Sequence, residues 1–343
     1  MTLHLVGLGL GVRNYLTLKA LEVMEEADIL ILDTYTSWIH GDLLKMLKDR
    51  FGGRLRLADR RMLEEDVKHI IEMASKKEVA LLIPGDPLVA TTHITILLEA
   101  VKHGVPYTLN YGVSIYSTVA SASGLQAYKF GRTTTIPKSG VGVESCYRVI
   151  AENMEHGLHT LLLLDTADGG LTAPEALKLL QEAEKEIGRG IISEDRLLIV
   201  LARLGSEDEE RWAGAFSEAL TRTYPPPPHS IIFPGELHFI EAEALQKLFS
   251  VERELIEGHK PVRCERLRVQ EYLRKAENAF KTMRIKSAGK NVEKVLEIAE
   301  SYLNDARIFF NRGELFNALG AIAYCEGLLD ALRDMGGIEF EWG

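Results

Sequence analysis

The feature that most constrains the fold is an alternation of short apolar runs with amphipathic stretches over about the first 245 residues. Runs such as LHLVGLG, ADILILD and VALLI have the length of buried strands, and the stretches between them repeat apolar residues every three to four positions, as helices do. Strands that alternate with helices usually pair in parallel, with helices on both faces of the sheet. The sequence therefore predicts an α/β sheet that begins almost at the N-terminus.

The pattern changes twice along the chain. Near residue 112 a second set of elements begins, and its apolar runs HTLLLLD, RLLIVLARLG and HSIIFPG lack a helix between each pair, which favours a mixed or partly antiparallel sheet. From about residue 269 only long stretches with a 3.6-residue period remain, typical of a small helical bundle. We therefore expect two α/β subdomains, 1–111 and 112–250, a linker over 251–268 and an all-α domain over 269–343.

Charge and composition exclude several classes of protein. The formal net charge of -10 over 343 residues argues against general nucleic-acid binding, which depends on clustered Lys and Arg. No apolar run approaches the length of a membrane span, and the N-terminus reads as a strand instead of a signal peptide, so we expect a cytoplasmic protein. Cys146, Cys264 and Cys325 are far apart and without CxxC spacing; we expect all three to be reduced, and no metal site.

A glycine run, GLGLG, follows the first predicted strand, and Asp33 ends the next one. The dinucleotide fingerprint requires G-x-G-x-x-G, with the helix starting inside the motif, but here the spacing is G-x-G-x-G. A nicotinamide cofactor is therefore disfavoured, and a turn that serves packing alone stays an alternative. Because no G-K-[ST] sequence exists, a P-loop is excluded. A backbone-lined site with apolar walls fits an adenosine-type ligand.

A second ligand-shaped loop, IPGDPLVATTH, follows the strand VALLI. Pro84 and Pro87 stiffen this loop, Gly85 lets backbone approach a ligand, and Asp86 offers a carboxylate to hydroxyl or amino groups. The alternative is that Asp86 caps a helix that starts near Leu88 or Thr91.

The combination of GLGLG, GDPLVATTH, SIYSTVA, GLQAYKFG, LIVLARLGS and PPPPHSIIFPG resembles the diphthine synthase family, which belongs to the tetrapyrrole-methylase fold group. The resemblance runs in order over about residues 1–250. It implies two α/β subdomains of tetrapyrrole-methylase type, with S-adenosyl-L-methionine in the cleft between them, S-adenosyl-L-homocysteine as product, and a homodimer. It also implies N-methylation of the modified histidine of translation elongation factor 2, a step of diphthamide biosynthesis.

Carried over position by position, the resemblance implies a set of residues that contact the methyl donor. These are Leu10, Asp86, Val89, Ser114, Ile115, Leu164, Ala202 and His229. Further residues, in DTYTS, at the end of the GDPLVATTH loop and in YKFGR, are candidates for holding the protein substrate. These are Tyr35, Thr36, His93, Lys129 and Arg132.

No catalytic residue is assigned from the sequence. Methyl transfer from a sulfonium to an amine depends mainly on alignment in a dry cleft, and a neutral amine needs no powerful base. A quaternary ammonium product would favour an aromatic wall, which Tyr35 or Tyr116 could supply.

Two alternatives stay open at this stage. A methylase of the same fold acting on a tetrapyrrole would show transfer to a small porphyrinoid, and a non-catalytic donor-binding module would show no turnover. The helical segment from about residue 266 resembles a small archaeal domain of unknown function. Its residues Ile308, Phe309 and Phe310 indicate a bundle core more than a surface that recruits the factor.

Overall fold

The computed structural model describes residues 1–260, 264–286 and 290–342, and the chain forms two compact units, Met1–Pro261 and Val262–Gly343. The first unit contains two five-stranded sheets, and the second is mainly helical. The predicted class, two α/β subdomains followed by a helical bundle, is confirmed.

The first sheet is parallel throughout and has the strand order β3-β2-β4-β1-β5. Its strands are β1 Leu3–Gly7, β2 Ile29–Asp33, β3 Leu55–Ala58, β4 Val79–Ile83 and β5 Tyr107–Asn110. Its helices are α1 Leu18–Glu26, α2 Gly41–Phe51, α3 Arg60–Glu64, α4 Val67–Ala74 and α5 Ile94–Lys102. Separate apolar clusters cover the two faces of the sheet, so every residue of β2 and β4 is buried. Burial on both faces explains why these strands are continuous apolar runs.

The second sheet has the order β6-β7-β10-β8-β9. Its strands are β6 Thr134–Ile136, β7 Thr160–Leu164, β8 Leu197–Ala202, β9 Glu210–Ala215 and β10 His229–Phe233. The pair β6 and β7 is parallel and the other pairs are antiparallel, which confirms the mixed sheet. The accompanying helices are α6 Ile115–Ser123, α7 Val143–Glu155, α8 Ala173–Ile187, α9 Phe216–Thr221, α10 Phe239–Phe249 and α11 Arg253–Gly258.

The helix α8 shows how the local sequence sets an element. The Thr172 hydroxyl accepts from the Glu175 N–H, and the Glu175 carboxylate accepts from the Thr172 N–H at 2.9 Å. Pro174 stands in the first turn, and Gly188 closes the helix in the left-handed conformation, with φ 67°. These signals are present in the sequence as T-x-x-E, an early proline and a terminal glycine.

Several elements differ from the sequence-based expectation. The strand β3 has no predicted counterpart: it is a four-residue edge strand with Arg56 and Leu57 exposed, and it lacks the continuous apolar run that marks β2 and β4. The segment between β3 and β4 forms two helices, α3 and α4, which are separated at Glu65 and Asp66. The strand β6, which has only three residues, has no counterpart among the predicted strands.

The predicted linker 251–268 is too long. Val251 is buried in the apolar cluster of the second sheet, and Leu255 and Ile256 of α11 pack against the same cluster. The Arg196 guanidinium also donates to the carbonyl oxygen of Lys260 at 2.9 Å. Residues 251–260 therefore belong to the first unit, and residues 261–263 lie outside the described residues.

The second unit is built from α12 Cys264–Thr282, α13 Lys290–Arg312 and α14 Leu315–Asp334. A short antiparallel pair, β11 Arg284–Ile285 with β12 Ile338–Glu339, was not predicted. The core takes in Phe310, whereas Ile308 is exposed. The helix α14 is long and apolar enough to cross a membrane by length and composition, and its Ile322, Cys325 and Leu329 pack in the core of the second unit. Cys146 and Cys325 are buried free thiols, and the Cys264 side chain lies outside the described part of the chain.

Candidate functional site

Three chain segments at the carboxyl edge of the first sheet meet at glycines. Gly7 ends β1, Gly85 follows β4 and Gly112 follows β5. A Cβ atom on Gly7 would lie 2.7 Å from the Gly85 carbonyl oxygen and 2.6 Å from the Gly112 nitrogen, closer than side chains tolerate. The Gly85 N–H donates to the carbonyl oxygen of Gly9 at 2.6 Å. We call Gly7, Gly85 and Gly112 the glycine floor, since Gly85 lines the large cleft beside them.

The loop after β4 is braced by its own carboxylate. Asp86 Oδ1 accepts from the Leu88 N–H, and Oδ2 accepts from the Gly112 N–H, each at 3.3 Å. The helix α5 begins only at Ile94, so the alternative that Asp86 caps a helix near Leu88 or Thr91 is wrong. Ala90 has φ 56°, a left-handed conformation that is uncommon outside glycine and marks local strain. Asp86 thus holds the loop against the segment that leads to α6.

A cleft of about 760 Å³ lies between the two sheets of the first unit. Six of the eight residues that the resemblance assigns to the donor line it. They are Leu10, Val89, Ser114, Ile115, Leu164 and His229. Asp86 and Ala202 are not among the lining residues. The Asp86 carboxylate accepts hydrogen bonds within its own loop and from Gly112. Ala202 is fully buried at the end of β8, where it pairs with His229 of β10. The cleft draws its walls from both subdomains.

His229 is a neutral wall residue. Its Nδ1 accepts from the Ala173 N–H at 3.0 Å, and its Nε2 donates to the Pro225 carbonyl oxygen at 2.6 Å. Burial lowers the pKa of His229, and the nearby positive charge of Arg203 lowers it further. Because both ring nitrogens are occupied, this histidine ties the start of α8 to the proline run and has no lone pair for a substrate proton.

Tyr35 and Thr36 line the cleft, and a buried carboxylate fixes them there. Asp33 Oδ1 accepts from the Tyr35 N–H at 2.8 Å and from the Thr36 N–H at 3.0 Å, and Oδ2 accepts from the Thr36 hydroxyl. His93 lies behind this turn, 2% exposed, with Nε2 at 3.3 Å from Asp33 Oδ2. His93 is therefore buried behind the turn and does not line the cleft, and its contact with the protein substrate stays a prediction.

Trp38 and Arg203 line the cleft too, and the sequence reasoning missed both. The Arg203 guanidinium lies 4.1 Å from the centroid of the Trp38 ring, and Thr166 donates from its hydroxyl to the Thr36 carbonyl oxygen at 3.2 Å. These two contacts join the loop after β2 to the second subdomain across the cleft. The signals available were an aromatic residue and a cation just past two predicted strands, but nothing in the sequence shows that they meet.

Lys129 and Arg132 do not line the cleft, and their contact with the protein substrate stays a prediction. Lys129 Nζ lies 2.6 Å from Glu241 Oε2, and Glu241 is fully buried. Arg132 is held through its backbone, whose N–H donates to Asn153 Oδ1 at 3.1 Å. Tyr116, the second aromatic candidate, does line the cleft.

A different cavity, of about 660 Å³, lies beside the loop that follows the glycine run and is lined by charges of both signs, including Arg13, Asp42, Lys45 and Asp49. It has no glycine floor. Among residues 1–260, 264–286 and 290–342, no group of three His, Cys, Asp or Glu side chains is placed to hold a metal ion.

Comparison with known proteins agrees with this geometry. Residues 2–220 match the family model Tetrapyrrole (Corrin/Porphyrin) Methylases, and residues 271–338 match a family described as Protein of unknown function (DUF357). The chain is 39% identical over 253 residues to the diphthine synthase of Methanocaldococcus jannaschii, covering 72% of this chain and 98% of that protein. It is 37% identical over 255 residues to the diphthine synthase of Sulfurisphaera tokodaii, with the same coverage.

Comparison with a solved structure supports the same fold as the family model. A crystal structure of diphthine synthase superposes with a TM-score of 0.68 at 32% sequence identity, covering 75% of this chain and 99% of that one. The match spans nearly the whole length of these relatives, and the helical unit lies beyond it. The chain belongs to the diphthine synthase family of tetrapyrrole methylases.

Proposed function

We propose that the protein is a diphthine synthase: it transfers methyl groups from S-adenosyl-L-methionine to the amino group of the modified histidine of translation elongation factor 2. The observation that carries the proposal is the cleft between the two sheets, which gathers six of the eight donor positions implied by the family. The chain also covers 98% of the length of its diphthine synthase relatives.

The residues present fit the proposed donor. The cleft volume of about 760 Å³ lies within the ~300–1,000 Å³ typical of small-molecule and cofactor sites. Its floor is backbone, and the two lining arginines, Arg60 and Arg203, are each paired with a carboxylate, of Glu64 and Asp208. A ligand without phosphates suits such a site better than a nucleotide. Leu10, Val89, Ser114, Ile115, Leu164 and His229 would hold the donor, which supplies an electrophilic methyl group when bound.

The chain's own contribution is alignment and exclusion of water. The glycine floor and the braced loop fix one side of the cleft, and Trp38 and Arg203 fix the other. Holding two reactants in line can supply roughly 7–11 kcal/mol of a barrier in well-oriented systems. The amine must be neutral to attack, and a desolvated site lowers its pKa. A dedicated base is therefore not required by this mechanism.

The homodimer implied by the family is part of the proposal. The helix α5 exposes Ile94, Leu98 and Val101 along one face, at 48%, 54% and 58%. The edge strand β5 of the same subdomain exposes Tyr107. An apolar helix face of this kind is a typical protein contact surface, and a second copy is the proposed occupant. The protein would work in the cytoplasm on its partner factor.

The experiment that tests the proposal is transfer of a labelled methyl group from the donor to two acceptors in parallel. One acceptor is elongation factor 2 carrying the aminocarboxypropyl histidine, and the other is a reduced tetrapyrrole. We expect label in the protein fraction only. Label in the tetrapyrrole instead would favour a tetrapyrrole methyltransferase of the same fold. Donor binding without label in either acceptor would favour a non-catalytic donor-binding module.

A further inference from the structure

The buried pair Asp33 and His93 has no role in the transfer described above, yet it touches two cleft-forming segments at once. Asp33 ends β2 and is fully buried, and His93 immediately precedes α5. The two residues are far apart in sequence, and their side chains approach to 3.3 Å in the interior. Two buried ionisable groups in contact are costly unless they are well paired, so the arrangement calls for an explanation.

Asp33 organises the segment on the β2 side. Its Oδ1 accepts two backbone N–H groups and its Oδ2 accepts the Thr36 hydroxyl, which locks the turn that presents Tyr35 and Thr36 to the cleft. Burial raises the pKa of Asp33, but the hydrogen bonds from His93 and Thr36 more than offset this and hold the pKa below its usual range. The carboxylate form is thus the one that the fold stabilises.

His93 organises the segment on the β4 side. Thr91 and Thr92, just before it, line the cleft, and its own backbone carbonyl accepts from the Ile96 N–H in the first turn of α5. Its Nδ1 is buried and has no hydrogen-bond partner among the described residues. The imidazole is therefore anchored from one side only, through Nε2 to Asp33.

The Tyr35–Thr36 turn and the Thr91–Thr92 segment lie at the open end of the cleft. The Arg60 guanidinium sits 5.5 Å from the centroid of the Tyr35 ring, and Arg60 itself is on the exposed helix α3 at the cleft rim. Most donor positions that line the cleft come from the glycine run, the start of α6 and the second sheet, and Val89 alone comes from the loop that also carries Thr91 and Thr92. The acceptor must enter from the solvent side, where Tyr35 and Thr92 stand.

We propose that Asp33 and His93 form a positioning pair that holds the Tyr35–Thr36 turn and the Thr91–Thr92 segment in register for the acceptor, without binding the donor. This rests on the proposed function. The pair acts through geometry: His93 supplies an N–H to Asp33, and its imidazole takes no substrate proton. A side chain that keeps this N–H in place should therefore replace it.

The test compares His93→Gln with His93→Leu in the full-length protein. A glutamine places its Nε2 near that of the imidazole and can still donate to Asp33, whereas leucine keeps much of the volume and cannot donate. His103→Gln, at the exposed end of α5, is the matched control. For each protein we would measure the single-turnover rate on modified elongation factor 2, the Kd for S-adenosyl-L-homocysteine, and thermal melting.

We expect His93→Leu to lower the rate at least tenfold, and His93→Gln and the control to stay within threefold of wild type. The Kd should stay within threefold for all. The proposal is overturned if His93→Gln loses as much rate as His93→Leu, since the imidazole itself would then be needed, or if His93→Leu keeps its rate or weakens donor binding in proportion. Should His93→Leu not fold, His93→Asn, which is too short to reach Asp33, replaces it with the same expectation. A wild-type protein that binds donor but does not methylate the factor would contradict the proposed function instead.

Discussion

The glycine floor makes a quantitative prediction about donor binding. In Gly7→Ala the new methyl group would lie 2.7 Å from the Gly85 carbonyl oxygen and 2.6 Å from the Gly112 nitrogen. Ordinary contact begins near 3.4 Å, so the backbone must retreat by about 0.7 Å at Gly85 and about 0.8 Å at Gly112. Neither neighbour is a flexible side chain, so the displacement passes to the loop that carries Gly85 into the cleft.

The size of the effect follows from that displacement. A misplacement of about 1 Å at an active site can cost on the order of a hundredfold in rate. For about 0.7 Å we expect donor affinity to weaken by roughly tenfold or more, with overpacking costing about 1–3 kcal/mol of stability. Since Gly7 has no positive φ, the effect is steric and does not arise from backbone strain.

Isothermal titration with S-adenosyl-L-homocysteine, together with thermal melting, measures both quantities. Gly53→Ala is the matched control, because Gly53 has an ordinary φ and no atom within 4 Å of the added methyl group. Donor affinity within twofold of wild type in Gly7→Ala would refute the view that these glycines form the floor of the donor site. Equal weakening in Gly53→Ala would refute the steric reasoning.

Three further predictions concern stability and assembly. Burial raises the pKa of Glu241, but Lys129 and backbone N–H donors hold it at about 2. Glu241→Gln should therefore lower the free energy of unfolding, measured in urea at pH 7, by roughly 3–5 kcal/mol. The exposed Glu243→Gln should change it little, and equal effects of the two substitutions would contradict this prediction. Burial holds the pKa of His259 at about 4, below the ordinary 6.5, so its contribution to stability is complete above pH 6.5 and falls by about 3 kcal/mol as the pH drops to 4. His259→Gln should flatten this part of the pH dependence of unfolding, and an unchanged slope would show that the histidine is not the cause. If α5 forms the proposed dimer contact, Leu98→Glu should shift the protein from dimer to monomer in sedimentation velocity without loss of helical content, and a monomeric wild type or an unchanged dimer would contradict that contact.

The sequence predicts those strands and helices whose position depends on neighbouring residues in the chain. The apolar run VALLI predicts β4 because a strand covered on both faces is apolar at every position, and T-x-x-E with Gly188 predicts the limits of α8. The edge strand β3 was not predicted because it has only four residues and its exposed Arg56 interrupts the continuous apolar run that burial on both faces would require.

The site was reached only in part, because its geometry depends on distant partners. In the sequence Lys129 looks like an unpaired cation in a loop. Its partner Glu241 lies 112 positions later, and only the fold shows that the two side chains form an ion pair. The contact of Trp38 with Arg203 and the approach of His93 to Asp33 are likewise invisible in local sequence. Family motifs supply donor positions, but they do not show that Asp86 braces a loop.

The central claim is that the cleft above the glycine floor binds the donor and delivers its methyl group to the modified histidine. The most direct measurement is intact-mass analysis of elongation factor 2 carrying the aminocarboxypropyl histidine, after incubation with S-adenosyl-L-methionine and either the wild-type protein, Gly7→Ala or Gly53→Ala. The account predicts added methyl groups with wild type and Gly53→Ala, and at limiting donor far fewer with Gly7→Ala. An unmodified mass with the wild-type protein, or equal methylation by all three, would contradict it.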